Sequence, residues 1–191
     1  MWKTLIKSPG EPEFEPFPEN PLEHVKERIK LVRNQPRWWE NLPRYEPGFE
    51  ILSVTKELGF RIKILTKVPS NLDYAWTEKV KWVKKQPELI DAGIYLVEDK
   101  ENGDNSKSSI DGRVLIDDYP KYLTPWLNNR PRGIGIMPAQ EYNKDFEHER
   151  VIRYDGTNLN QIKEILTWVR DRKNKEPITT AIGLSHKHER N

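Results

Sequence analysis

Apolar residues recur along the chain with two different spacings. Short apolar runs bounded by polar or turn residues predict strands at residues 61–66, 93–97, 113–116, 132–138 and 151–154. Apolar residues three and four positions apart predict amphipathic helices at residues 22–34, 49–59, 75–86 and 158–172, and a further helix begins within DDYPKYLTPWL. Strands therefore alternate with helices over most of the chain.

Strands separated by helices of this length need crossover connections, and crossovers join parallel strands. The pattern predicts an α/β fold, with a mostly parallel sheet flanked by helices on both faces. Ligands of such sheets bind beyond the carboxyl ends of the strands. The residues that follow each strand are therefore the first candidates for a site.

The composition narrows the chemistry that such a site can use. The 191 residues include no cysteine and four histidines, which excludes disulfides, thiolate zinc sites and a cysteine nucleophile. Carboxylate and metal chemistry is favoured instead. A net charge of +2 points to neither nucleic acid nor membrane as a partner, and with no apolar run of membrane length we expect a soluble, cytoplasmic protein.

One predicted strand ends in two adjacent like charges. Residues 114–120 read VLIDDYP, so Asp117 and Asp118 directly follow a strand apolar enough to be buried. Partly buried carboxylates are costly unless a cation or hydrogen bonds compensate them. Two explanations stay open: a polar strand end that caps the following helix, or a metal site at the edge of the sheet.

Other strands deliver groups that suit a phosphate beside a divalent cation. The strand at 61–66 ends in Thr66 and is followed by Lys67, and the polar loop after residue 97 contains Lys100 and Lys107. A hydroxyl can donate to a phosphate oxygen, an ammonium can offset its charge, and carboxylates can hold Mg²⁺. Each residue alone is a weak signal; their order along the chain is what favours a site.

Several strings in this order resemble one family. ILTKVP, AWTEKVKWVKK, GRVLIDDYPKYLTPWL, RGIGIMPAQEYN and VIRYDGTN are similar to the 5'(3')-deoxyribonucleotidases of the haloacid-dehalogenase (HAD) superfamily of phosphatases. The resemblance implies a Rossmann-like core with a small helical cap near the amino terminus. It also implies Mg²⁺-dependent hydrolysis of deoxynucleoside monophosphates. The expected organisation is an irregular arm at 1–21, a cap-like segment at 22–48, the HAD-like core at 49–175 and a frayed tail at 176–191.

The resemblance also implies roles for individual residues. Thr66 and Lys67 would bind the phosphate, and Lys107 would be the catalytic, phosphate-binding lysine, with Lys100 as the alternative. Asp117 would position that lysine and Asp118 would touch the metal. Trp38 and Trp39 fall where the cap would present aromatic rings to the base of the substrate, and a purely structural role for both stays open.

The family's nucleophile motif is missing. That motif is an Asp-x-Asp directly after a buried first strand, and the chain contains no Asp-x-Asp. VIRYDGT resembles it superficially but has Arg153 at the nucleophile position, so it is interpreted as structural. Three hypotheses follow: a weak or inactive nucleotidase, a pseudoenzyme that binds a nucleotide without turnover, or a fragment that needs a partner chain carrying the nucleophile.

The missing first strand also has a structural consequence. It is central in the family's sheet, so its loss would expose two strand edges in the middle of the core. The slot would then be filled by the amino-terminal WKTLI, or covered by a partner chain or a second copy, or the sheet would be rearranged.

Overall fold

The computed structural model describes residues 23–69, 72–99 and 107–172. The predicted arm at 1–21, the predicted tail at 176–191 and Lys100 lie outside the described residues. In the described ranges the helices are α1 (Glu23–Arg33), α2 (Glu46–Glu57), α3 (Asp73–Lys84), α4 (Pro120–Asn128) and α5 (Leu159–Asp171). None of these helices is long and apolar enough to cross a membrane.

The strands are β1 (Lys63–Pro69), β2 (Gly93–Asp99), β3 (Val114–Ile116), β4 (Ile134–Pro138) and β5 (Val151–Tyr154). The predicted alternation of strands and helices is confirmed. The predicted end of the first strand at Thr66 is wrong, because β1 continues to Pro69. The strand continues past Lys67 through Val68, which is fully buried.

The described residues divide into two compact units. One unit comprises residues 23–43 and 68–90, and the other comprises residues 44–67 and 91–172. The first unit thus groups most of the predicted cap-like segment with α3. All strands except the end of β1 belong to the second unit.

A buried carboxylate organises the first unit. Glu78 in α3 accepts hydrogen bonds from the backbone N–H of Arg37 at 2.7 Å and of Trp39 at 3.2 Å. The indole N–H of Trp82, also in α3, donates to the carbonyl of Leu42 at 2.7 Å. These contacts fasten the short 3-10 helix that begins at Trp39 to α3, since buried polar groups require such partners.

The second unit is built on a parallel sheet. β4 lies between β3 and β5, with Leu115 opposite Gly135 and Ile136 opposite Ile152. All residues of β4 are buried, as expected for a strand paired on both sides and covered on both faces.

Each face of this sheet has its own apolar cluster. The first cluster joins alternate residues of β4 and β5 to α2 and α5, and includes Ile51, Ile134, Ile136, Tyr154, Ile162 and Leu166. The second cluster joins β3 and β4 to α4, and consists of Leu115, Leu123, Trp126, Leu127 and Met137. Helices therefore cover both faces, as predicted for an α/β fold.

The described strands form two sheets rather than the predicted one. β1 pairs with β2, and β3, β4 and β5 form the three-stranded sheet. Within the described ranges β1 and β3 each have a single strand neighbour. The mixed α/β architecture, with its short parallel-strand sheet and helices, is compatible with a Rossmann-like fold.

Candidate functional site

Asp117 extends the ladder of β3 by one residue. Its backbone N–H donates to the carbonyl of Ile136 in β4 at 3.1 Å. Its Oδ1 accepts the backbone N–H of Tyr119 at 3.0 Å, just before α4 begins at Pro120. This bond is the one expected of a polar strand end that leads into a helix.

The other oxygen of Asp117 binds a lysine. Nζ of Lys107 lies 2.6 Å from Oδ2 of Asp117, and the two side chains are only 9% and 8% exposed. If either side chain is removed, the other remains as a buried charge without compensation. The fold therefore depends on both residues together. The structure thus pairs the two residues that the resemblance assigned as lysine and positioning aspartate.

Burial raises the pKa of Asp117 above its ordinary value. The Lys107 ammonium and the N–H of Tyr119 oppose the shift, and the neighbouring Asp118 adds to it. A buried carboxylate between a lysine and a second aspartate is strongly dependent on its cationic partner. Asp117 therefore acts as the anchor of Lys107 rather than as an open anionic site.

A tyrosine ring brings a second lysine to the same place. Nζ of Lys107 lies 4.3 Å from the ring centroid of Tyr122 in α4, and Nζ of Lys67 in β1 lies 4.9 Å from it. The negative face of an aromatic ring attracts cations. Lys67 and Lys107, which are distant in sequence, thus gather around one ring beside the carboxyl end of β3.

Thr66 lies within β1 rather than at its end. It is half-buried, and its hydroxyl approaches the carbonyl of Lys67 at 3.5 Å, the limit of a hydrogen bond. It directly precedes Lys67 in β1.

Asp118 is held by residues that the sequence did not single out. Its Oδ2 accepts a short hydrogen bond from the phenol of Tyr142, and its carbonyl accepts from Nδ2 of Asn143 at 2.7 Å. Burial and the Asp118 carboxylate raise the pKa of Tyr142, so the phenol keeps its proton and remains a donor. Asp118 therefore has a different environment from Asp117 although the two are adjacent.

Asn143 ties three strand ends together. It is 1% exposed, and its Nδ2 also donates to the carbonyl of Pro138 at the end of β4 at 3.0 Å. Its Oδ1 accepts from the guanidinium of Arg153 in β5 at 2.6 Å. The Arg153 guanidinium also donates to the carbonyls of Asn143 at 2.6 Å and Gln140 at 3.1 Å, so it belongs to the same hydrogen-bond network.

Only a weak signal pointed to Tyr142 and Asn143. Both follow the strand RGIGIMP by a few residues, where sheets of this kind place functional groups. Nothing in their spacing links them to Asp118, which precedes them by more than 20 residues. Tertiary structure alone makes this contact.

The described residues do not by themselves fit a magnesium site. No group of three or more acidic or histidine side chains converges in the described ranges. Asp117 is bound to Lys107 and Tyr119, and Asp118 is bound to Tyr142. Mg²⁺ prefers several oxygen ligands, so the ion would need ligands beyond these two aspartates.

Trp38 and Trp39 lie in the first unit. Trp39 is 6% exposed, and its ring is flanked by Nζ of Lys79 at 4.4 Å and the guanidinium of Arg33 at 5.2 Å. Trp38 is half-buried and meets Trp39 edge-on, with 4.6 Å between ring centroids. Packing explains Trp39, whereas the part-exposed ring of Trp38 leaves surface for a ligand.

No protein-family model, no curated protein and no solved structure matches this chain.

Proposed function

We propose that the chain is a 5'(3')-deoxyribonucleotidase-like protein of the HAD superfamily. It binds the phosphate of deoxynucleoside monophosphates with Thr66, Lys67 and Lys107, and by itself hydrolyses them weakly or not at all. The observation that carries the proposal is the buried Lys107–Asp117 pair, with Lys67 gathered around the same tyrosine ring.

Two ammonium groups lie beside Tyr122. Those of Lys67 and Lys107 are 4.9 Å and 4.3 Å from the centroid of its ring, and Lys107 is paired with the carboxylate of Asp117. A phosphate monoester carries close to two negative charges near neutral pH and offers several acceptor oxygens. Charge-assisted hydrogen bonds from lysines and a hydroxyl suit it.

The divided sheet supports the family assignment. The resemblance implies a central first strand between the strand that carries Thr66 and the strand that leads to Asp117. The described strands separate at that position, with β1 and β2 in one sheet and β3 in the other. A family member that lacks its first strand predicts this division.

Binding without efficient turnover follows from the side chains at hand. The chain has no Asp-x-Asp, and both oxygens of Asp117 already accept hydrogen bonds. The residues therefore bind and orient a phosphate but offer no free carboxylate to attack phosphorus. Mg²⁺ would need ligands beyond these two aspartates, whereas the two lysines can bind a phosphate without the ion.

Isothermal titration of dUMP into the purified chain tests this proposal. We expect binding, and Lys67→Met should weaken it about tenfold or more, which corresponds to about 1.4 kcal/mol. The matched control is Lys81→Met, at an exposed position of α3, which should leave the affinity unchanged. No detectable heat at millimolar dUMP, or equal losses in both variants, would contradict the proposal.

A further inference from the structure

Three arginines lie near the amino ends of β3 and β4, at the other edge of the sheet from Asp117 and Asp118. Arg113 directly precedes β3, Arg132 lies two residues before β4, and Arg172 directly follows α5. From Arg113 to Asp117 the chain rises by about 13 Å along the strand. The arginines are therefore separate from the candidate site at the carboxyl end of β3.

Hydrogen bonds to backbone carbonyls gather these side chains. Nη2 of Arg172 donates to the carbonyl of Arg132 at 2.6 Å. Nη1 of Arg113 donates to the carbonyl of Val169 at 3.3 Å and approaches that of Arg170 at 3.5 Å. The carboxyl end of α5 thus lies beside the residues that lead into β3 and β4, and the guanidinium groups of Arg113 and Arg172 meet there.

The three positive charges are close enough to oppose one another. Burial, and then the charges of Arg132 and Arg113, lower the pKa of Arg172 below its ordinary value. Asp171 is the acidic residue next to Arg172 in sequence, but both of its carboxylate oxygens accept from the guanidinium of Arg170, at 2.6 and 2.8 Å. Within the described ranges neither Arg113 nor Arg172 forms an ion pair.

Arg172 also has a buried donor without an acceptor. Its Nη1 is buried and makes no hydrogen bond to any described residue. A buried N–H of a charged group that lacks an acceptor costs about 1–3 kcal/mol or more. Nε of Arg130 is buried without a hydrogen bond too, but Oδ1 of Asp111 lies 3.7 Å from it and offsets its charge. Arg172 lacks such a partner in this part of the chain.

The end of α5 accounts for only part of the cluster. A helix carries about half a negative charge at its carboxyl end, which attracts cations. Its carbonyls engage one nitrogen of Arg113, whereas Nε and Nη2 of this exposed residue have no acceptor among the described residues. Three guanidinium groups therefore exceed the charge that the helix end offsets.

We propose that Arg113, Arg132 and Arg172 form a second anion site, which binds a phosphate group. A guanidinium offers paired N–H donors that match two oxygens of an oxyanion. A phosphate carries close to two negative charges near neutral pH and has enough oxygens to accept from more than one arginine. A carboxylate has one charge and two oxygens, so it suits a single arginine. The site shares no residue with the nucleotide-binding site proposed above.

NMR titration of the full, isotope-labelled chain with inorganic phosphate tests this proposal. We expect the Nε–Hε signals of Arg113 and Arg172 to shift in a saturable way, with a Kd of about 1 mM or below, which corresponds to at least about 4 kcal/mol of binding free energy. Acetate at equal ionic strength should leave both signals where they are, because it lacks the second charge.

Single substitutions locate the binding. Arg172→Met should weaken phosphate binding about tenfold or more when it is measured at the Arg113 signal. Arg113→Met should do the same at the Arg172 signal, and it should remain folded because Arg113 is exposed. Lys163→Met is the matched control: it removes one positive charge from the same helix, where Lys163 pairs with Glu57 on the surface, and should leave the affinity unchanged.

Three results would overturn the proposal. They are an absence of saturable shifts at millimolar phosphate, an equal response to acetate, and a loss in Lys163→Met as large as that in Arg172→Met. Lys67→Met separates this site from the candidate site: if it abolishes the response of Arg113 and Arg172, the second site does not exist. A retained response in a chain that fails to bind dUMP would contradict the proposed function and support the second site.

Discussion

The ammonium of Lys107 and the carboxylate of Asp117 form a buried ion pair, 2.6 Å apart and less than one-tenth exposed. The pair joins Lys107, which precedes β3, to Asp117, which directly follows β3. It fixes the position of a cation at the carboxyl edge of the sheet, beside the ring of Tyr122 and the ammonium of Lys67.

Lys107→Met should destabilise the fold by about 3–5 kcal/mol at neutral pH, because it leaves the carboxylate of Asp117 buried without its partner. Urea unfolding measures the loss. The control is Lys144→Met: Lys144 pairs with Glu141 on the surface, where both side chains are more than half exposed, so the change should stay below about 1 kcal/mol.

The same variant should show a characteristic pH dependence. Burial already raises the pKa of Asp117, and losing Lys107 raises it further. A carboxyl whose folded pKa lies above its unfolded pKa binds a proton more readily when folded, so stability falls as pH rises through that window. The cost of Lys107→Met should therefore be smaller at pH 4.5 than at pH 7.5, and an equal cost at both would refute this explanation.

Tyr142→Phe should cost about 1–3 kcal/mol, because it removes the phenol that donates to the Asp118 carboxylate. Thermal or urea unfolding measures the change. Tyr74→Phe, at a side chain that is 37% exposed, serves as the control and should be close to neutral. Equal effects of the two substitutions would show that Asp118 does not depend on this bond.

His148 should titrate below its ordinary pKa. Burial and the nearby Arg150 lower the pKa of its imidazole, and its Nδ1 accepts the backbone N–H of Arg150 at 3.0 Å. Because the folded pKa is depressed, stability should fall as pH drops through about 6.5. NMR titration of the ring protons gives the pKa directly; a value at or above 6.5 would contradict the prediction.

The two adjacent tryptophans should respond differently to alanine. Trp39→Ala should lower stability by about 3–5 kcal/mol, because the ring is almost fully buried. Trp38→Ala should cost less. Urea unfolding of both variants measures the two losses in the free energy of unfolding; equal losses would contradict the prediction.

Local pattern predicted much of this fold. The alternation of apolar runs located the strands, since a strand buried on both faces is a near-continuous apolar run such as IGIM in β4. The end of β1 was misplaced because Lys67 looks like a strand end, whereas Val68 continues the buried pattern. The division into two sheets was not predicted, because local apolar patterns locate strands but do not show which strands pair.

The residues of the candidate site were also only partly predictable from the sequence. Asp117 and Asp118 follow from the end of a predicted strand, whereas the choice of Lys107 over Lys100 came from the family resemblance. Tyr142 and Asn143 reach Asp118 through a connection of more than 20 residues, and their residue types are ordinary in surface turns. Long-range contacts of this kind carry no local pattern, so sequence analysis missed them.

Phosphorus NMR of dUMP mixed with the full chain, with and without Mg²⁺, tests the central claim most directly, because one spectrum reports both binding and hydrolysis. We predict that the dUMP signal shifts or broadens with wild-type protein, that Lys67→Met abolishes the change, and that inorganic phosphate appears slowly or not at all. An unperturbed dUMP signal at millimolar concentrations would contradict phosphate binding, and rapid release of inorganic phosphate would contradict the loss of turnover.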